Sequence, residues 1–254
     1  MEGGLSLLRN ARPSLPSASS NIQPIRHRIK AEIQEIRVCT NRTCRRQGSL
    51  QTLQTLSALA PPNVSVNSCG CLGRCGTGPN LAAIPEDGGG VILVGHCGTP
   101  SRAAQVLVGL LSFGLDSDDG DAKTSLEALA LRKRAENESD MGNLSLAEQL
   151  LSQAIQLKPF GGIHVLYKDR SIARLALGNY SGALEDAREA LTLAPQYPEA
   201  YICQGDAFLA MDQFDSAEKS YLMSLQIDPS LCRSKSFKAR IAKLEEKLAA
   251  TDMP

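Results

Sequence analysis

Apolar and polar positions follow two different rhythms along this chain, and the rhythm changes once. In the first part the apolar runs are short. Glu35-Ile-Arg-Val38 alternates with period two and predicts a strand. Leu50, Leu53, Leu56 and Leu59 recur every third residue and predict a helical stripe, ended by Pro61-Pro62. Val64-Ser-Val-Asn67 reads as a second strand. Leu81 to Ile84 and Val91 to Val94 read as two more, joined by a Pro-Glu-Asp-Gly-Gly-Gly loop. Ser101 to Leu111 reads as a closing helix. Strand, helix, three strands and a helix suit a small α/β layer. Leu115-Asp-Ser-Asp-Asp-Gly-Asp121 then breaks the pattern. Four aspartates with glycine and serine repel one another and bury nothing, so residues 115–123 read as a linker. No terminal glutamate follows to make this run a calcium loop.

From Thr124 onward the rhythm is helical. Asn143-Leu-Ser-Leu-Ala147, Asn179-Tyr-Ser-Gly-Ala183 and Gln213-Phe-Asp-Ser-Ala217 correspond to one another, as do Ala154, Ala190 and Ser224, and Pro159, Pro195 and Pro229. The prolines are 36 and then 34 residues apart, and Gly161-Gly162 accounts for the extra pair. Small residues at fixed places let paired helices approach, and each proline ends the second helix of a pair. These residues resemble the tetratricopeptide repeats, whose period is about 34 residues. Ser230 to Ala250 reads as a solvating terminal helix, with Ile241 and Leu244 inward.

Candidate chemistry lies in the cysteines. Cys39 and Cys44 form one pair, and Cys71 and Cys75 another within a glycine-rich loop, Cys69-Gly-Cys-Leu-Gly-Arg-Cys-Gly-Thr-Gly-Pro79. An iron–sulfur cluster needs four converging thiolates and free backbone N–H groups near its sulfides. Glycines 70, 73, 76 and 78 would let the backbone wrap closely. Both spacings also suit structural zinc. A disulfide framework fits poorly, because the chain has ample apolar residues and no secretory apolar core. Thioredoxin-type redox chemistry wants Cys-x-x-Cys, which is missing. Cys69 is read as a small thiol in a tight loop, Cys97 beside His96 as non-functional, and Cys203 and Cys232 as packing residues.

Ile36-Arg-Val-Cys-Thr-Asn-Arg-Thr-Cys44 with Cys71-Leu-Gly-Arg-Cys-Gly-Thr-Gly-Pro-Asn80 resembles the thioredoxin-like [2Fe–2S] ferredoxins. The resemblance implies a thioredoxin-like fold over residues 34–114 and a [2Fe–2S] cluster on Cys39, Cys44, Cys71 and Cys75. The plant-type pattern would need a further cysteine where Gln47 stands.

Leu166-Tyr-Lys-Asp-Arg-Ser171 resembles the chaperone-binding tetratricopeptide subgroup, which clamps a C-terminal carboxylate with asparagine, lysine and arginine. Aligned on the repeat pattern, the clamp places here hold Arg132, Glu136, Asp169, Glu199 and Cys203. Three carboxylates in one groove would repel a peptide carboxylate. The groove is therefore expected to prefer a basic or neutral segment over an acidic tail.

The formal net charge is zero, so no global field argues for nucleic acid or membrane. No apolar run reaches the roughly 18 residues of a span. There is no tryptophan and no nucleotide-binding glycine motif. Catalysis beyond electron transfer has no motif behind it. Residues 1–33 are arginine-bearing, serine- and proline-rich and nearly free of acid, which predicts an organellar transit peptide. The composition favours a chloroplast, stromal or thylakoid-associated, over a mitochondrion. The expected architecture is an α/β thioredoxin-like domain followed by an all-α repeat solenoid over 124–254. The expected function is an organellar iron–sulfur assembly or scaffold factor for a photosynthetic complex. An electron-transfer component docking a reductase and a zinc-bound or metal-free adaptor are the alternatives.

Overall fold

A computed structural model describes residues 32–112 and 119–251. The transit-peptide expectation and most of the acidic run lie outside the described residues.

Four strands form one sheet in the order β2–β1–β3–β4. They are β1 (Ile33–Cys39), β2 (Ser65–Cys69), β3 (Leu81–Pro85) and β4 (Ile92–Val94). β1 runs parallel to β2 and antiparallel to β3, and β3 is antiparallel to β4. The parallel pair is linked by α1 (Arg42–Arg46) and α2 (Ser49–Leu59), and α3 (Pro100–Leu111) follows β4. Thr99 caps α3, its hydroxyl accepting the Arg102 N–H. β1 sits centrally, so Ile36 and Val38 are fully buried.

The leucine stripe on α2 is only half inward. Leu56 and Leu59 are buried, whereas Leu50 is 45% exposed. At about 100° per residue, Leu50 and Leu59 lie roughly half a turn apart. Ser49, Thr52 and Thr55 complete the buried face instead.

Seven helices follow: α4 (Asp119–Asp140), α5 (Leu144–Gln156), α6 (Ile163–Ala176), α7 (Tyr180–Leu193), α8 (Pro198–Ala210), α9 (Phe214–Ile227) and α10 (Lys235–Thr251). The first six form three antiparallel pairs of a tetratricopeptide solenoid. Ala147, Ala183, Ala217, Ala154, Ala190 and Ser224 are all completely buried. The small residues that mark the period are thus the close-packing positions. Gly142 and Gly178 make the turns of the first two pairs with left-handed backbone. In the terminal helix Phe237 and Leu244 are buried, and Phe237 meets Tyr221 edge-on at 5.8 Å.

Two corrections concern the division of the chain. α4 begins at Asp119, so residues 119–123, assigned above to the linker, are its first turns. The α/β layer and the repeats also share one apolar cluster, in which Ala122 and Leu129 join Ile36, Leu56 and Leu107. The extra pair Gly161-Gly162 lies at this seam. A Cβ on Gly161 would stand 2.1 Å from the Leu59 carbonyl oxygen, and one on Gly162 2.4 Å from that of Ala58. Beside it the Phe160 N–H donates to Ser125 Oγ at 2.9 Å. The insertion is the place where the end of α2 presses on the first repeat.

Candidate functional site

The sheet brings the four predicted cysteines to one end. Cys39 and Cys69 end the two parallel strands in register. Asn41 caps α1, its side-chain oxygen accepting the Arg42 N–H, and α1 carries Cys44. A 3-10 turn at Cys75–Thr77 presents Cys75, whose sulfur lies 3.7 Å from that of Cys71. Cys39 and Cys44 are buried, while Cys71 and Cys75 are exposed.

Burial pushes the Cys39 thiol up, but the amides of Asn41 and Leu72 and the thiols of Cys44 and Cys71 outweigh it and hold it below the ordinary value. Cys44 is pushed up by burial and by the Cys39 sulfur beside it. Cys75 is pushed up by its hydrogen bond to Cys71. Cys69 is half-buried and pushed up by burial, then by Cys39. The Gly73 N–H points at Cys71 Sγ at 3.4 Å. Thus both distant pairs lie at the same end of the sheet. Among the described residues, no group of three or more histidine, cysteine, aspartate or glutamate side chains is disposed, as it stands, to hold a metal ion.

Asn80 was missed as a site residue. It is buried, donates to the Arg74 carbonyl at 2.6 Å and approaches Cys44 Sγ at 3.8 Å. It therefore ties the Cys75 turn to the first cysteine pair. A lone polar residue before the apolar Leu81 to Ile84 run was the available signal. The glycine argument needs correction. Gly73 has φ +77°, and a Cβ on Gly78 would meet Cys44 Sγ at 3.0 Å and the Gln47 side chain. Gly70 and Gly76 face open space with no positive φ. Outside the quartet, His96 is exposed and Cys97 buried, its thiol reaching the Gly95 carbonyl at 3.4 Å. Cys203 is buried as expected, but Cys232 is exposed and packs nothing away.

The repeat groove is lined by α4 and α6. Arg132 Nε donates to Asp169 Oδ2 at 2.6 Å, and Lys168 pairs with the other oxygen. These groups, with Glu136 and Ile172, border a cleft of about 180 Å³. Glu136 and Glu199 are exposed. Cys203 is buried, and burial pushes its thiol up to about 12, so it offers nothing to a ligand in the groove. His164 and Tyr197 meet edge-on at 5.1 Å, and burial lowers the His164 pKa. The count of three carboxylates against one cation therefore fails. Asp169 is neutralised by two cations, and Lys168, adjacent in sequence, had been left out. With Lys168 the excess is one carboxylate rather than two, which weakens the electrostatic case for excluding acidic segments.

No family model matches the chain. It is 38% identical over 84 residues to the protein STIP1 homolog of Dictyostelium discoideum, a match covering 33% of this chain and 14% of that protein. It is 35% identical over 104 residues to the Hsp70-Hsp90 organising protein of Plasmodium falciparum, covering 41% of this chain and 40% of that one. The chain thus spans less than half the length of these relatives. Among solved structures, the first TPR of Spaghetti (RPAP3) bound to HSP90 peptide SRMEEVD is 24% identical. That match covers 49% of this chain and 95% of the other, with a TM-score of 0.44. The second TPR domain of human RPAP3, in complex with HSP70 peptide SGPTIEEVD, is 20% identical over 48% and 98%, with a TM-score of 0.43. The likeness agrees with the tetratricopeptide solenoid described above.

Proposed function

We propose that this chain is a protein-docking adaptor that couples a peptide-binding groove to a [2Fe–2S] cluster held by Cys39, Cys44, Cys71 and Cys75. The observation that carries the reading is that one end of the sheet gathers two thiol pairs far apart in sequence: Cys71 and Cys75 lie 3.7 Å apart, and Asn80 links the turn before Cys75 to Cys44 Sγ. A [2Fe–2S] cluster takes two thiolates on each iron, so it asks for two neighbouring pairs. One zinc ion asks for four ligands about a single point. The inward amides of Asn41 and Leu72 suit an anionic sulfur site. The strand order β2–β1–β3–β4, with its parallel first pair, supports a thioredoxin-like reading of the layer. Bound there, the cluster would supply one-electron chemistry. A place in the assembly of a photosynthetic complex in a chloroplast rests on the composition of residues 1–33.

Anaerobic reconstitution tests this. Iron and acid-labile sulfide in equal amounts, visible absorption and a paramagnetic signal on reduction are expected. Cys71→Ser and Cys75→Ser should lose the colour, and Cys97→Ser should keep it. Colourless protein with one equivalent of zinc defeats the reading.

The groove reading takes its ligand class from the relatives. The cations Arg132 and Lys168 receive the carboxylates of a client tail, acidic tails included. Asp169→Asn should tighten binding of the SRMEEVD peptide several-fold, because it frees two cations, and Arg132→Ala should weaken it. Fluorescence anisotropy reads both. Equal affinity in all three proteins would remove Arg132 and Asp169 from the site.

A further inference from the structure

We propose that the cysteine end is a second docking surface, built for a carboxylate-rich protein and separate from the repeat groove. Between Arg37 and Pro85 the sequence holds five arginines and no acidic residue. Arg37 is spent on Glu35 at 2.8 Å. The other four, Arg42, Arg45, Arg46 and Arg74, are exposed and enter none of the ion pairs among the described residues. Arg42, Arg45 and Arg46 flank Cys44 on α1 and, with Thr40 and Asn41, border an open concavity of about 530 Å³. Arg74 stands between the exposed Cys71 and Cys75. Four guanidinium groups with no ion pair among the described residues thus lie beside the cysteines, in a molecule whose net charge is zero.

The chemistry of the arc selects the partner. Every cation from residue 31 to residue 122 is arginine, the side chain whose planar fork pairs with a carboxylate through two hydrogen bonds. No phenylalanine, tyrosine or tryptophan precedes Phe113, so the layer lacks the large aromatic platforms on which successive bases stack. No helix among the described residues is long and apolar enough to cross a membrane. Both α1, with five residues, and its flanks lack the apolar face of an interfacial helix. A carboxylate-bearing protein surface fits the arc, and it would be steered toward Cys71 and Cys75 rather than toward the groove.

The test uses the full chain, reduced and metal-free, so it is independent of what the thiols hold. Two thiol reagents are compared at Cys71 and Cys75: a dianionic aromatic disulfide and an uncharged pyridyl disulfide. From about 0.01 M to about 0.3 M salt, the rate with the anionic reagent should fall about tenfold and the uncharged rate should stay level. The triple variant R42E/R45E/R74E should abolish the difference. K133E/R134E, a charge change on an exposed part of α4, should preserve it. Poly-glutamate should bind the wild type at low salt and lose at least tenfold in the triple variant. Salt-independent anionic rates in the wild type overturn the proposal without reference to any variant. Tighter binding of a DNA duplex of matched charge, or of anionic vesicles, overturns the choice of partner.

Discussion

Asp186 sits on α7 at 2% exposure with both carboxylate oxygens engaged. Arg170 holds them through two hydrogen bonds of 2.7 and 2.9 Å, and Arg174 adds a contact of 3.0 Å. Arg174 also reaches Glu148 on α5, so this knot ties the first pair of helices to the second. Removing one partner of a buried pair leaves the other charge uncompensated. Asp186→Ala should therefore cost about 3–5 kcal/mol in denaturant unfolding. Cys203 makes a pH prediction. Burial lifts its thiol from an ordinary 9.0 to about 12. Between those values the unfolded chain has released a proton that the folded chain retains, so stability falls as pH rises through that range. Tyr197 and Tyr221 are also raised by burial, which adds to the fall above their ordinary value of 10.0. Melting temperature should decline above pH 9, less steeply in Cys203→Ala. A flat profile up to pH 11 would refute the assignment. At this scale the sequence was legible where a residue had a repeat equivalent. Asp186 stands where the other repeats carry Leu150 and Ser220, so the pattern gave no sign of its pairing with Arg170 and Arg174 on the helix before it.

Among the elements, legibility followed periodicity. The repeat helices announced themselves because small residues recur at nearly fixed offsets and are buried each time, with a proline after each pair. The strands were found by alternation or as short apolar runs, but α1 was not, since five residues give no period to read. On α2 a spacing of three drifts around a helix of 3.6 residues per turn, which set Leu50 in solvent. Threonines buried by their neighbours, such as Thr52 beneath the Cys97 carbonyl, carry no apolar mark. The close approach of α8 and α9 rests on Gly205, where a Cβ would meet the Tyr221 ring at 2.5 Å. Gly205→Ala should lose about 1–3 kcal/mol by overpacking. An unchanged denaturation midpoint would mean that the ring can move aside.

For the whole molecule, sequence composition drew a linker where the fold continues a helix. Four aspartates look unable to support structure, yet α4 begins among them because Ala122 and Leu129 are drawn onto α2 and α3. The candidate site was legible as four cysteines, since thiol spacing is a local signal. The arginine arc and the Asp169 knot were not, because each needs side chains placed together by the fold. The seam between layer and repeats has its own prediction. Gly161→Ala forces a clash with backbone, and Gly162→Ala adds a φ of +73° that alanine resists. Either change should split a single calorimetric transition into two, with the layer melting first. One sharp transition in both variants would show that the seam contributes little.

That seam has a mechanical consequence. Two guests, one lying along the repeats and one at the opposite tip, would meet at a constant span and bearing, as workpieces do in a jig. No slack tether would dilute their encounter. Orientation would then be inherited from Gly161 and Gly162 themselves, and lengthening that loop by a few residues would leave each guest bound but out of alignment.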